Sequence, residues 1–353
     1  MLRREGERGV LVSALREIDR LILLGDVVEL RHGPLRAALA AAEPVLRELG
    51  AALGPGREVV IVPGNHDHGL LRGWLERRDP ARELGLETPV EADPREALGA
   101  LAAALSPART RVSYPGVWLR DDVYAIHGHY CDRHNTVPIV ERLGAGLNVR
   151  LTGEPEGGPA RAEDYEAALA PMYAWIDTVA QMGGLRGSGG DGSFQIKAWR
   201  ALGGGGSGAR GGGRARGDGP RGPGAARGGL VRRGMLVAFP AVVAGLNRLG
   251  IGPLRADVSV PTLRRAALQA FTEVLSRLDV PAAHVIFGHT HRAGPLPGDD
   301  PAEWGRLLNT GSWVYEPGYL GDAPAQSPYR PGFAAIVSDD GPPELVNLLD
   351  GDA

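Results

Sequence analysis

The short stretch F-G-H-T-H-R at 287–292 places two of the chain's nine histidines one residue apart. It lies where an apolar run, A-H-V-I, gives way to the polar, proline-bearing A-G-P-L-P-G. Residues two apart on an extended chain point to the same side, so His289 and His291 can present two imidazoles to one ion or anion. Taken alone, an H-x-H of this kind is equally a polar surface loop. Three further clusters carry similar groups: G-D-V-V-E at 25–29, P-G-N-H-D-H at 63–68 and H-G-H-Y-C-D-R-H at 127–134. Together they offer a carboxylate, an amide and several imidazoles. A mixed oxygen and nitrogen donor set suits Mn²⁺, Fe²⁺ or Zn²⁺ better than Ca²⁺ or Mg²⁺, which favour oxygen alone. A carboxylate shared by two such ions would hold them ~3.5–4 Å apart, the spacing of two-metal phosphoester hydrolysis.

The elements that must position these groups can be read from the apolar runs before them. R-L-I-L-L (20–24), E-V-V-I-V (58–62), V-Y-A-I (123–126) and H-V-I-F (284–287) each end where a cluster begins. Short continuous apolar runs predict buried, parallel-type strands, and ligand sites of open α/β sheets lie beyond the carboxyl ends of such strands. A helix is expected over 6–18, and another over 34–53 with Pro34 in its first turn. Two more, over 163–182 and 262–278, show apolar residues at helical spacing. R-L-L-N-T at 306–310 reads as a later strand, and G-F-A-A-I-V-S-D with E-L-V-N-L-L as a closing hairpin.

Composition narrows the class. A chain of 353 residues, 43% hydrophobic, can bury a full core, as one large domain or two small ones. The net charge of −3 gives no electrostatic argument for nucleic acid or an anionic membrane. One cysteine, Cys131, excludes an internal disulfide and fits a reducing, cytoplasmic compartment. The longest apolar stretch, 235–246, is too short to span a bilayer and is interrupted by Pro240. Residues 203–229 hold fourteen glycines and five arginines in 27 positions, with no large apolar side chain. Such composition cannot offset its ordering entropy, so 183–229 reads as a Gly/Arg-rich flexible insertion within a domain formed by 1–182 and 230–353. Only Lys197 among the 39 basic residues is a lysine, which argues against reading the Arg-Gly run as a nucleic-acid contact.

In order and spacing, the clusters resemble the calcineurin-like metallophosphoesterases, whose pattern is D-x-H, G-D-x-x-[ED], G-N-H-[DE], a lone H and G-H-x-H. The last four stand here as Gly25-Asp26 with Glu29, Gly64-Asn65-His66-Asp67, His127, and Gly288-His289-Thr290-His291. The resemblance implies an α/β, four-layer fold of two packed mixed sheets flanked by helices. It implies a dinuclear centre in which Asp26 bridges two divalent ions, Asn65, His127 and His289 complete one, and His291 serves the other. His66 is then the phosphate contact and general acid, with Asp67 orienting it and keeping it charged. His129, Arg133, His134 and Arg292 are candidate substrate contacts, together with Asp132 and Asn135. Glu29 is expected behind the ligands, His68, His284 and His32 in structural or surface roles, and Cys131 inert.

The implied reaction is hydrolysis of a phosphoester or pyrophosphate bond, on a phosphorylated small-molecule or nucleotide-type substrate. A scaffold that keeps the fold and has lost a metal site is the other reading. H-G-H-Y-C-D, G-H-T-H-R and N-T-G-S-W are most similar to the bacterial UDP-2,3-diacylglucosamine pyrophosphohydrolase branch, which usually has G-N-R-D and H-G-D where this chain has G-N-H-D and H-G-H. That likeness makes 163–182 and 230–280 candidate cap helices, with peripheral contact at the inner membrane as a further expectation. The first motif, D-x-H, is absent from the residues before R-L-I-L-L. An apolar strand carrying it is expected upstream of Met1, and the chain as it stands is expected to hold about one ion and to hydrolyse phosphoesters poorly.

Overall fold

The computed structural model describes residues 2, 4–31, 33–79, 81–136, 140–181, 243–255, 260–315, 317–321 and 323–351. The Gly/Arg-rich insertion, His32 and residues 230–242 lie outside them. Helix α1 (Glu5–Ala14) leads through a 3₁₀ turn into strand β1 (Arg20–Leu24). Helix α2 (Leu35–Leu53) follows with Pro34 as its N-cap, and then β2 (Glu58–Val62). These match the expected bounds to within a few residues. Strand β3 (Glu87–Val90) and a 12-residue strand, β4 (Arg109–Arg120), precede β5 (Val123–Ile126). Between them lie α3 (Arg72–Arg77) and α4 (Ala97–Ala104). Helices α5 (Val140–Thr152), α6 (Ala162–Gln181) and α7 (Val260–Arg277) come before β6 (His284–Phe287). Short β7 (Ala293–Gly294), β8 (Leu307–Thr310) and the antiparallel hairpin β9 (Phe333–Ile336) with β10 (Glu344–Asn347) close the chain.

The fold is α/β, with one large mixed sheet and flanking helices. Its strand order is β1-β2-β4-β5-β6-β8-β7, with β3 paired to β4. β1, β2 and the first half of β4 run parallel, as do β5, β6 and β8. β4 joins the two groups: Arg109–Val112 pair with β2, and from Gly116 onward the strand turns to pair antiparallel with β5. This long strand carries Pro115 and Gly116 in its middle, residues that ordinarily interrupt a strand. Here they sit where it changes partner.

Alternation along the strands divides the core. Val59, Ile61, Tyr124, Ile126, Val285 and Phe287 face the helices. Val60, Val62, Val117, Val123, Ala125, Ile286 and Leu308 form a second cluster, against which Ala335 and Leu345 of the hairpin pack. Val59 to Val62 are all fully buried, as expected of a parallel strand covered on both faces, at about 1.5–3 kcal/mol per side chain. β1 departs from the expectation of full burial. It pairs only with β2 among the described residues, and its side chains are only partly buried. An edge strand lacks a neighbour on one side, which leaves its alternate side chains partly in water.

The candidate cap helices pack on the body. Phe271 of α7 stacks on Phe287 of β6 with ring centroids 4.3 Å apart. Tyr165, Leu169 and Tyr173 of α6 are buried against the 3₁₀ segment His129–Arg133 and its surroundings. No helix among the described residues is long and apolar enough to cross a membrane.

Candidate metal centre

Four strand ends deliver the site. After β1 the chain reverses through Gly25 (φ 83°) and Asp26 (φ 55°); after β6, His289 and His291 both take φ 61°. Left-handed non-glycine residues cost about 1–3 kcal/mol each and persist where surrounding contacts over-determine them. Asp26 is so determined: its Oδ1 accepts the His66 backbone N–H at 2.9 Å. A Cβ on Gly64 would strike that same carboxylate, and one on Gly25 would run into the His127 ring. Only glycine lets the two loops and the imidazole approach this closely.

The hydrogen bonds fix which ring nitrogens are available. His127 Nδ1 lies 3.0 Å from the Leu24 carbonyl, to which it donates. Its Nε2 then faces Asn65 Oδ1 at 3.2 Å and Asp26 Oδ2 at 3.4 Å. His289 Nε2 is 2.9 Å from Asp132 Oδ1, which leaves Nδ1 facing the same Asn65 oxygen at 3.3 Å. Two imidazole lone pairs, an amide oxygen and a carboxylate oxygen therefore converge without a donor among them. Such a set repels itself unless a positive charge sits at its centre. The chemistry of these donors fits a divalent transition ion held by Asp26, Asn65, His127 and His289. The Leu24 carbonyl and the buried Asp132 carboxylate set the tautomer and aim of the two rings, as partners of metal-binding histidines do. A cluster of Cys131, Asp132 and His289 has its ligand atoms within 4.8 Å of one another and shares His289 with this set.

The electrostatics agree. Burial alone would raise the Asp26 carboxyl, but the neighbouring His127 and His66 hold it well below the ordinary range. Burial would lower His127, and Asp26 outweighs it, so the imidazole is raised. A proton on His127 thus answers the same negative potential that a cation would. His291 is pushed down to about 4, first by burial and then by the other imidazoles, against the attraction of Asp26. It keeps a neutral ring beside that carboxylate.

The expected partnership of His66 and Asp67 is corrected. His66 Nδ1 pairs with Glu29 Oε2 at 2.7 Å, and Arg31 approaches its Nε2 at 3.4 Å. Burial lowers His66, but Asp26 and Glu29 prevail and raise it. Asp67 is fully buried and turned the other way, accepting the backbone N–H groups of Gly64 (2.6 Å) and Val27 (2.7 Å). It ties the second loop to the first. Burial and the charge of Asp26 push its carboxyl up to about 6.

The four candidate substrate contacts also take other partners. His129 is fully buried, its Nε2 3.2 Å from the Tyr114 hydroxyl, because the 3₁₀ turn after Gly128 directs it inward. Arg133 is forked onto Glu154. His134 Nε2 meets the Tyr165 hydroxyl at 2.8 Å, and burial takes the imidazole down to about 4. Arg292 is forked onto Asp299 (2.9 and 2.6 Å) with its guanidinium over the Trp304 ring. Asp132, another candidate for the substrate pocket, lies behind His289 instead. His129, Arg133 and His134 meet partners 15, 21 and 31 residues away, whereas Asp299 lies only seven residues beyond Arg292.

His68 Nε2 lies 2.9 Å from Glu166, a part-buried carboxylate that also accepts the hydroxyls of Tyr114 and Tyr130. His284 opens β6, and Cys131 is buried and free. Sequence reading missed Arg31, Glu166 and Tyr173. Arg31 stood in view, two residues after Glu29, whereas the other two are placed only by the packing of α6. No protein family, curated protein or solved structure compared with this chain matches it.

Proposed function

We propose that this protein is a metal-dependent phosphoesterase of the calcineurin-like kind, with that family's four-layer arrangement. The observation that carries the reading is the convergence of His127 Nε2, Asn65 Oδ1, Asp26 Oδ2 and His289 Nδ1 beside an imidazole, His66, that is not among them. A divalent ion bound there supplies Lewis-acid chemistry, polarising a phosphoryl oxygen and acidifying water. The protein's own part is to favour the charged form of His66 through Asp26 and Glu29, against the opposing charge of Arg31, so that it donates a proton to the leaving oxygen. Arg31, nearly buried and carried over the Tyr173 ring, offers a fixed positive charge to phosphoryl oxygens.

The second ion of the dinuclear reading would have Asp26 and His291 as protein ligands, so it is held weakly. The test is metal analysis of the purified protein, followed by assay on phosphomonoester, phosphodiester and pyrophosphate substrates with Mn²⁺, Fe²⁺ and Zn²⁺. Hydrolysis that needs the metal and is lost in Asp26→Ala supports the reading. A protein that binds none of these ions and turns over none of the substrates is the scaffold instead.

A further inference from the structure

The 3₁₀ turn His129–Arg133 is held against the loop after β6. The Gly288 N–H donates to the His127 carbonyl at 3.0 Å. Gly128, which opens the turn at φ 111°, has Phe287 and His289 Cβ so near that a side chain there would press on both. Glycine is what allows that backbone angle at that separation. Two consecutive side chains of the turn, Cys131 and Asp132, are thereby brought to His289, and one ligand atom from each of the three lies within 4.8 Å of the others.

All three are withdrawn from water. Cys131 is 2% exposed, Asp132 1% and the His289 side chain 12%, so an ion enters past the imidazole. Asp132 Oδ2 accepts the Tyr173 hydroxyl at 3.4 Å, which keeps Oδ1 on His289 Nε2 at 2.9 Å. Tetrahedral bonds of about 2.0–2.3 Å set ligand atoms roughly 3.3–3.8 Å apart, so shifts of about 1 Å or less seat an ion among the three. A thiolate, an imidazole and a carboxylate with a fourth position open form a donor set for Zn²⁺, whereas Mn²⁺ favours oxygen. The set around Asp26 contains no sulfur.

We propose that Cys131, Asp132 and His289 form a second cation site, for a thiophilic divalent ion of the Zn²⁺ kind, that competes with the Asp26 set for His289. The competition follows from a neutral imidazole having two nitrogens and one proton. In the Asp26 set His289 offers Nδ1, and its Nε2–H donates to Asp132. At the second site Nε2 holds the ion in place of that hydrogen bond. The ring proton then sits on Nδ1 and is donated to Asn65 Oδ1, 3.3 Å away. The thiol proton is released to solvent, because the thiolate is the ligand. Ions at the two places exclude each other. The site itself stands apart from the phosphoesterase reading, since it needs no substrate.

The metals alone are the probes. The full chain, stripped of metal and titrated with Co²⁺ as the coloured stand-in for Zn²⁺, should develop a near-ultraviolet thiolate-to-cobalt charge-transfer band. Cys131 is the chain's one cysteine, so the band reports this site. Cys131→Ser and Cys131→Ala should each remove it, with circular dichroism showing that the fold is kept. Asp132→Asn should raise the Co²⁺ concentration at half-saturation at least ~10-fold. His127→Ala, which breaks only the Asp26 set, should leave the band in place. Bound Mn²⁺, followed by electron paramagnetic resonance, reports the Asp26 set. Cd²⁺ should release it at concentrations at least ~10-fold lower in the unaltered protein than in Cys131→Ser.

Co²⁺ that does not bind, or binds without the band, overturns the site. A band lost in His127→Ala overturns it as well, because the thiolate would then belong to the Asp26 centre. Mn²⁺ and Cd²⁺ held together on one chain overturn the competition. The expected band in a protein that binds no Mn²⁺ and hydrolyses none of the phosphoesters supports the thiolate site and removes the phosphoesterase reading instead.

Discussion

At the scale of single residues, His66 and the four converging groups have separable duties. If the proposed reading holds, Asp26→Ala or His289→Ala removes one of four ligands that the remaining groups cannot replace, and both metal content and turnover should be lost. His66→Ala should cut turnover by roughly 10²–10⁴-fold and leave metal content near that of the unaltered protein, as expected of a general acid. Mass-spectrometric metal analysis beside steady-state kinetics separates the two, and loss of metal in His66→Ala would reverse the assignment. Glu29 and Asp67 give a sharper contrast. Glu29→Gln should lower turnover with little change in stability, because Glu29 is half exposed and holds His66. Asp67→Asn should lower the unfolding midpoint, since an amide can accept only one of the two backbone N–H groups, Gly64 within its own loop and Val27 from the loop after β1.

Among the elements, α6 is tied down by the part-buried carboxylate of Glu166, which meets His68, Tyr114 and Tyr130. Burial raises Glu166, but His68 and the hydroxyls of Tyr114 and Tyr130 outweigh it, so its folded pKa lies below the ordinary 4.5. A depressed carboxylate contributes stability that is present above its unfolded pKa and is lost as pH falls through the folded value. The contribution of Glu166, read as the difference in urea midpoint between the unaltered protein and Glu166→Gln, should therefore be constant above about pH 5 and shrink below it. Glu166→Gln should cost about 3 kcal/mol at neutral pH, as for breaking one side of a buried pair, and the gap from the unaltered protein should narrow toward pH 3. A gap of constant size down to pH 3 would rule this account out. Helix α7 offers a simpler test: Phe271→Ala removes its stack on Phe287 and should cost about 3–5 kcal/mol in the same assay.

For the molecule as a whole, the arrangement around Asp26 is unequal. Asn65, His127 and His289 gather beside it, whereas His291, lowered to about 4 by burial, feels its charge but makes no hydrogen bond with that group among the described residues. Two protein ligands leave most of a coordination shell to water and bind correspondingly weakly. The 353-residue chain should retain about one ion per molecule after dialysis, with any second ion exchanging at millimolar concentrations. Two ions surviving dialysis would show that a further ligand has been overlooked. Asp26 follows β1, which pairs only with β2 among the described residues, so its partly buried Leu21 to Leu24 are a segment open to unwanted strand pairing there.

The sequence by itself determined the strands that end in chemistry. An apolar run closed by Gly-Asp, Gly-Asn-His or Gly-His is a local pattern, and strand burial followed by a sharp reversal needs only neighbours along the chain. For that reason β1, β2, β5, β6, β8 and the final hairpin were legible, as was the gathering of oxygen and nitrogen donors at the strand ends. Strand β4 was not, because Pro115 and Gly116 read as breaks until β2, β3 and β5 supply the three partners between which it turns. Tertiary structure alone decided the second tier of the site. Whether His66 leans on Asp67 or Glu29, and whether Arg133 is available or already forked onto Glu154, depends on which side chains arrive from other parts of the fold. Ligand type is a property of residues, but partnership is a property of distance, and spacing along the chain does not encode it.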